Sequence, residues 1–146
     1  MSSIELAWAE RRGDSQRAAV RFLDFIVDGV HLSSRMGDHV TLFGWGSKPL
    51  QQVAADRLLG RCAPDLPSTR VALYVCPECG DLGCGAVGVV VERAEGTVVW
   101  RSFAYENNYD GMVHHEGYDD LGPFEFAESE YSGVIAKLAA ILQNAG

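Results

Sequence analysis

Between Glu106 and Ala136 the chain has no lysine and no arginine, although eight acids fall there: Glu106, Asp110, Glu116, Asp119, Asp120, Glu125, Glu128 and Glu130. Residues 1–105 are close to neutral, so this segment carries the net charge of −8. Proteins that bind DNA or RNA directly neutralise phosphates with basic side chains, and a segment of this sign does the reverse. Direct nucleic-acid binding is not expected. Long apolar runs are also missing. None approaches the ~20 residues needed to cross a bilayer, so no membrane contact of that kind is expected. Met1 to Glu10 lacks the basic-then-apolar layout of a secretory signal, which predicts a cytoplasmic protein. In that compartment the four cysteines are expected to be thiols or metal ligands rather than disulfides. Repeats, low-complexity tracts and Gly/Ser linkers are absent, and residues 1–146 read as a single domain.

Familiar enzyme signatures are absent too. Gly44-Trp45-Gly46-Ser47 has the spacing of neither a phosphate loop nor a nucleophile elbow. The glycines from Gly83 to Gly88 follow a hairpin tip rather than a strand entering a helix, so they are no dinucleotide fingerprint.

The elements that are present follow from periodicity. Ile4, Leu6 and Trp8 recur at a period of two and predict a half-buried strand. A second strand around Val20 to Val27 runs into Asp28-Gly29, a strong hairpin signal, and a third starts at Val30. Leu50, Val53, Ala54 and Leu58 change the period to that of a short helix, with Ser47 as cap, Pro49 in the first turn and Gly60 at the stop. Arg70 to Val75, Ala86 to Glu92 and Thr97 to Tyr105 predict a three-stranded antiparallel meander, turning first through a cysteine loop and then at Glu95-Gly96. Phe124 and Phe126 suggest a short edge strand. Tyr131, Val134, Ile135, Leu138, Ile141 and Leu142 form the clearest amphipathic helix, with Ser129 as its expected cap. The sum is an α+β fold: an antiparallel sheet, built from a hairpin and a meander, with two packed helices.

Within the first meander turn, Cys76 and Cys79 have the C-x2-C spacing and Cys84 stands at the hairpin's return. A proline and a glycine in a tight turn aim two thiolates at one cation, and the Cys-Pro-x-Cys-Gly wording resembles one half of a zinc ribbon. A structural zinc held by Cys76, Cys79 and Cys84 is one expectation. Its fourth ligand would come from His114, with Cys62 and His115 as alternatives. Buried thiols in a glycine-rich turn, or a redox pair of Cys76 and Cys79, are the competing readings. The stretch from Tyr74 to Ala86, the strand from Trp100 to Asn108 and Gly122-Pro123-Phe124-Glu125-Phe126 together resemble small uncharacterised bacterial proteins with a CPxCGDxGCGA-type hairpin. Some of these are labelled oxidoreductase. The resemblance covers the second half of the chain and implies no catalytic residue.

Downstream, Tyr105, Tyr109, Tyr118, Phe124, Phe126 and Tyr131 are threaded among the acids. Tyrosine covers interface area at low entropic cost, and a uniform negative potential steers a basic partner. The expected function is therefore an acidic binding protein, in an inhibitor, immunity or accessory role toward a basic protein. Its contact residues would be Glu106, Tyr109, Asp110, Glu116, Tyr118, Asp119 and Asp120. The alternatives are a thiol oxidoreductase using the C-x2-C pair and a metal-dependent hydrolase around His114, His115 and Glu116. His31 and His39 are isolated in sequence and read as surface or satisfied groups.

Overall fold

The structure, a computed structural model, describes residues 1–78 and 84–144. Strands β1 (Ile4–Arg11), β2 (Val20–Val27) and β3 (Val30–His31) form one antiparallel sheet with β2 in the middle. The β2–β3 turn is the expected one. Asp28 and Gly29 have φ of 52° and 80°, the positive values that both central residues of a type I′ turn require. A 3-10 turn at Leu32–Arg35 follows, and then helix α1 at Lys48–Leu58.

Helix α1 starts as its sequence predicts. Ser47 Oγ accepts the amide of Leu50, and Pro49 stands in the first turn. Its buried face differs from the expected one: Leu50 is exposed and Gln51 is buried. Gln51 accepts the amide of Gly44 at 2.9 Å and donates to the carbonyl of Gly46. The preceding loop has backbone groups that need partners when buried, and an amide side chain supplies both a donor and an acceptor.

The second sheet carries β4 (Val71–Val75), β5 (Ala86–Ala94) and β6 (Thr97–Glu106) as the predicted meander. On the far edge of β6 lie two short strands, β7 (Val113–His114) near its end and β8 (Phe124–Ala127) near its start. Strand β7 was not expected. Helix α2 (Glu128–Asn144) begins directly after β8, which places Ser129 in its first turn rather than at its cap. No helix among the described residues is long and apolar enough to cross a membrane.

The two sheets share one core. Trp100 of β6, fully buried, meets Phe25 of β2, Phe126 of β8 and Tyr131 of α2 edge-on, with centroids 5.3, 5.2 and 5.9 Å away. Val40, buried in the same core, pairs with Val75, tying the loop after the 3-10 turn to β4.

A bulge in β6 decides what faces where. Val90 opposes Arg101 but Gly88 opposes Ala104, so Ser102 and Phe103 together face Val89. Ser102 takes a φ of 56°. One extra residue inverts the in-out alternation of a strand. Before the bulge Val98 and Trp100 point into the main core; after it Phe103 and Tyr105 do. Ala104 and Glu106 therefore lie on the other face, where Glu106 opposes Ala86 of a smaller cluster with Leu66 and Val75. The buried Arg70 clamps the bulge: Nε donates to the Ser102 carbonyl at 2.8 Å and Nη2 to its hydroxyl at 2.6 Å. Removing this clamp with Arg70→Ala is expected to cost about 2–3 kcal/mol in urea unfolding, the range for lost hydrogen bonds of a charged group.

Burial pushes the phenol of Tyr131 upward, and that of Tyr74 well above its ordinary value, in the latter case aided by the facing Asp24 carboxylate. An unfolded chain releases both phenol protons near pH ~10 while the folded chain holds them. Raising the pH through that value therefore favours unfolding. Stability should be level to about pH 9 and fall above about pH 10. Tyr74→Phe should flatten that alkaline limb, while costing about 1–3 kcal/mol near neutrality because Asp24 loses a donor. Urea titrations at a series of pH values measure both effects.

Candidate functional site

Three places hold the chemistry-bearing side chains, and the sequence points to two of them.

At the cysteine hairpin, Val75 opposite Ala86 closes the neck, so Cys76 and Cys84, both half-buried, stand on either side of its mouth. Cys79, the second half of the C-x2-C pair, lies outside the described residues. Cys76 Sγ donates to Glu78 Oε2 at 3.5 Å, and Glu78 Oε1 pairs with Arg11 Nη1 of β1 at 2.6 Å. The hydrogen bond from Arg11 holds the Glu78 carboxyl below its ordinary range. This contact docks the hairpin neck on the end of the first sheet. Cys62 is exposed in the loop after α1. Among the described residues no three His, Cys, Asp or Glu side chains are arranged to hold a metal.

His114, proposed as a fourth ligand, lies in β7 with Tyr105 between it and the hairpin. The Tyr105 ring is 6.0 Å from His114, and its hydroxyl donates to the Cys84 carbonyl at 3.4 Å. Gly85 accommodates that hydroxyl: its φ is 134°, and a Cβ there would collide with the Tyr105 ring. His39 also packs on this ring, edge-on at 5.7 Å, and has its Nδ1 at the Met36 carbonyl. His114 Nε2 is instead 2.7 Å from Asp110 Oδ2, and His115 and Glu116 are exposed.

The acidic segment forms an outward loop held by its own side chains. Asn107 Oδ1 accepts the amides of Tyr109 and Asp110, and Asp110 Oδ1 accepts that of Met112. The Met112 amide, and after it His114, hold the Asp110 carboxyl below its ordinary range. Tyr109 is 82% exposed and Met112 60%. Asp110, Glu116, Asp119 and Asp120 are exposed too. The segment is not wholly without cations: Arg35 of the 3-10 turn reaches Asp120 at 2.7 Å and the Gly117 carbonyl at 2.8 Å. That contact holds the Asp120 carboxyl low. Tyr118 is half-buried against the core.

Glu106, unlike the other acids of residues 106–120, is not exposed. It is only 6% exposed: the bulge turns it away from the main core to the face of the smaller cluster, where Ser68 donates to it through both Oγ and the amide. A groove of about 390 Å3 opens beside it, lined by Pro67, Ser68, Asn107, Asn108, Gly111, Met112 and Val113 as well as Glu106. Ser68 and the two asparagines carry no sequence signal for this role, since the groove forms only when two distant loops meet.

A third cluster was missed for a readable reason. Asp24, fully buried within the apolar run Val20–Val27, accepts the Tyr74 hydroxyl at 2.6 Å and the Phe25 amide at 2.9 Å. His31 Nδ1 stands 2.9 Å from its other oxygen. An acid inside an apolar strand must find partners when buried. That was the available signal, and His31, isolated in sequence, is one of those partners.

Asp110 gives a test of the loop. Because its carboxyl is held low, the brace is present above the ordinary Asp value near ~4 and is lost as pH falls through the lowered one. Carboxyl titration followed by NMR should show that lowered midpoint. Asp110→Ala should speed Met112 amide exchange several-fold.

No family model matches the chain, and neither a curated protein nor a solved structure is significantly similar to it.

Proposed function

We propose that this protein is a cytoplasmic acidic binding protein that docks a basic protein partner through residues 107–120, in an inhibitor, immunity or accessory role. The observation that carries the reading is the loop's anatomy. Two exposed apolar side chains, Tyr109 and Met112, share one short segment with the exposed carboxylates Asp110, Glu116, Asp119 and Asp120, of which only Asp120 is paired with an arginine. Interfaces place aromatic residues and methionine at their centres and charges at their rims. The apolar pair supplies area to bury, and the carboxylates supply long-range attraction for a cationic surface. The hydrogen bonds that Asn107 and Asp110 accept from the loop's backbone amides favour binding further, because a pre-ordered loop loses less entropy on association.

The two kinds of residue predict different losses. Against a partner isolated from the native cell, Tyr109→Ala should weaken the complex about thirtyfold, roughly 2 kcal/mol, at every salt concentration. Neutralising Asp110, Glu116 and Asp119 as the amides should slow association and flatten its dependence on salt. Absence of any partner, or an affinity indifferent to salt, would sink the proposal.

A further inference from the structure

Glu106 is a carboxylate 6% exposed, and its hydrogen-bond donors, Ser68 Oγ and Ser68 N, are neutral. The described residues include every Lys, Arg and His of the sequence. None of them forms an ion pair with Glu106. A carboxylate has about four acceptor sites, and two are filled. Burying a carboxylate without a cation is unfavourable, and a cation brought to it recovers part of that loss. Here the carboxylate forms part of the wall of the 390 Å3 groove. Pro67, Met112 and Val113 give the groove apolar sides, and Asn107 and Asn108 add polar residues to its lining.

Apolar walls leading to a buried, unneutralised carboxylate match the shape and chemistry of one group: a cation on an aliphatic stem. We infer that the groove between the Pro67–Ser68 turn and the 107–113 loop receives a single lysine or arginine side chain of the basic partner, with Glu106 as its counter-ion. The inference rests on the docking reading and sharpens it, because Met112 belongs both to the outer loop and to the groove wall. Tyr109 and the exposed acids would draw the partner in; Glu106 would select the residue that enters.

The probes are three blocked amino acids, N-acetyl-lysine methylamide, N-acetyl-arginine methylamide and N-acetyl-norleucine methylamide, titrated into the intact protein and followed by amide NMR at about 0.15 M salt. The cationic probes should shift the Ser68, Glu106, Met112 and Val113 amides and bind at least tenfold more tightly than the neutral one. Glu106→Gln, which keeps an acceptor for Ser68, should remove that preference. Should Glu106→Gln fail to fold, Met112→Ala, an exposed substitution, should weaken the cationic probes about threefold. Equal binding of all three probes, or cationic shifts elsewhere on the surface, would overturn the inference. The variant with only Glu116 and Asp119 neutralised, which keeps the Asp110 brace on the groove wall, separates the two proposals. It should weaken the basic partner while leaving probe affinity within twofold. Probes that fail while the partner still binds in a salt-dependent way would reject the groove alone; probes that bind with no partner found would reject the docking reading alone.

Discussion

The fold depends on the aromatic contact at Trp100. One indole joins elements that are far apart in sequence: Phe25 from the first sheet, Phe126 from the short strand β8 and Tyr131 from helix α2 all meet it edge-on. Edge-to-face geometry sets the positive rim of one ring against the negative face of another, which gives direction to an otherwise undirected apolar contact. The polar atoms follow the same lines. Trp100 Nε1 donates to the Tyr131 hydroxyl at 3.2 Å, and that hydroxyl donates to the Leu58 carbonyl at the end of α1 at 2.8 Å. A carbonyl in the last turn of a helix has no partner within the helix. Tyr131 supplies one, so the position of α1 is coupled to that of α2 and β6.

Strand β6 carries both this hub and Glu106, and the Ser102 bulge lies between them. Trp100 fixes the strand's first half in the main core, and the extra residue then delivers Glu106 to the opposite face. Arg70 holds the bulge with two hydrogen bonds to one residue, and its fixed fork of donors suits that task better than a point charge. The groove wall is thus built on a paired strand close to the core rather than on a free loop, while the opposing wall, Gly111 to Val113, is held by side-chain bonds from Asp110 and by pairing in β7.

Much of the architecture was legible because local signals agreed with the tertiary outcome. Asp28-Gly29, Ser47 with Pro49, and the valine-rich run before Glu95-Gly96 each name a backbone conformation, and the chain adopts it. The α+β class and the order of the meander followed. What could not be read was parity. Ser102 is an unremarkable strand residue, and nothing local announces that the alternation reverses there and takes Glu106 off the face of Trp100; nor does an acid at the head of an acidic series announce its burial against Ser68. Gln51 was hidden likewise, since its burial answers backbone groups of Gly44 and Gly46 that a helix pattern does not display. The exposed remainder of the acidic segment, by contrast, was visible from charge alone: the fold brings Arg35 to Asp120 and Arg93 to Glu128, and leaves Glu116 and Asp119 without an ion pair among the described residues.

That last point bears on why the loop is shaped as it is. The first half of the chain brings Arg35 to Asp120 and Arg11 to Glu78, and each arginine braces a loop of the second half against the first. Yet Glu116 and Asp119 are given no such partner among the described residues, and Glu106 is buried with neutral donors only. Like charges gathered on one face disfavour the compact state through their own repulsion. Held there by a rigid strand and a self-bonded loop, they cannot disperse to relieve it. A cationic surface laid against residues 107–120 would relieve the repulsion and cover Tyr109 and Met112 in the same step, so the electrostatic and apolar terms of binding act at the same place and in the same direction.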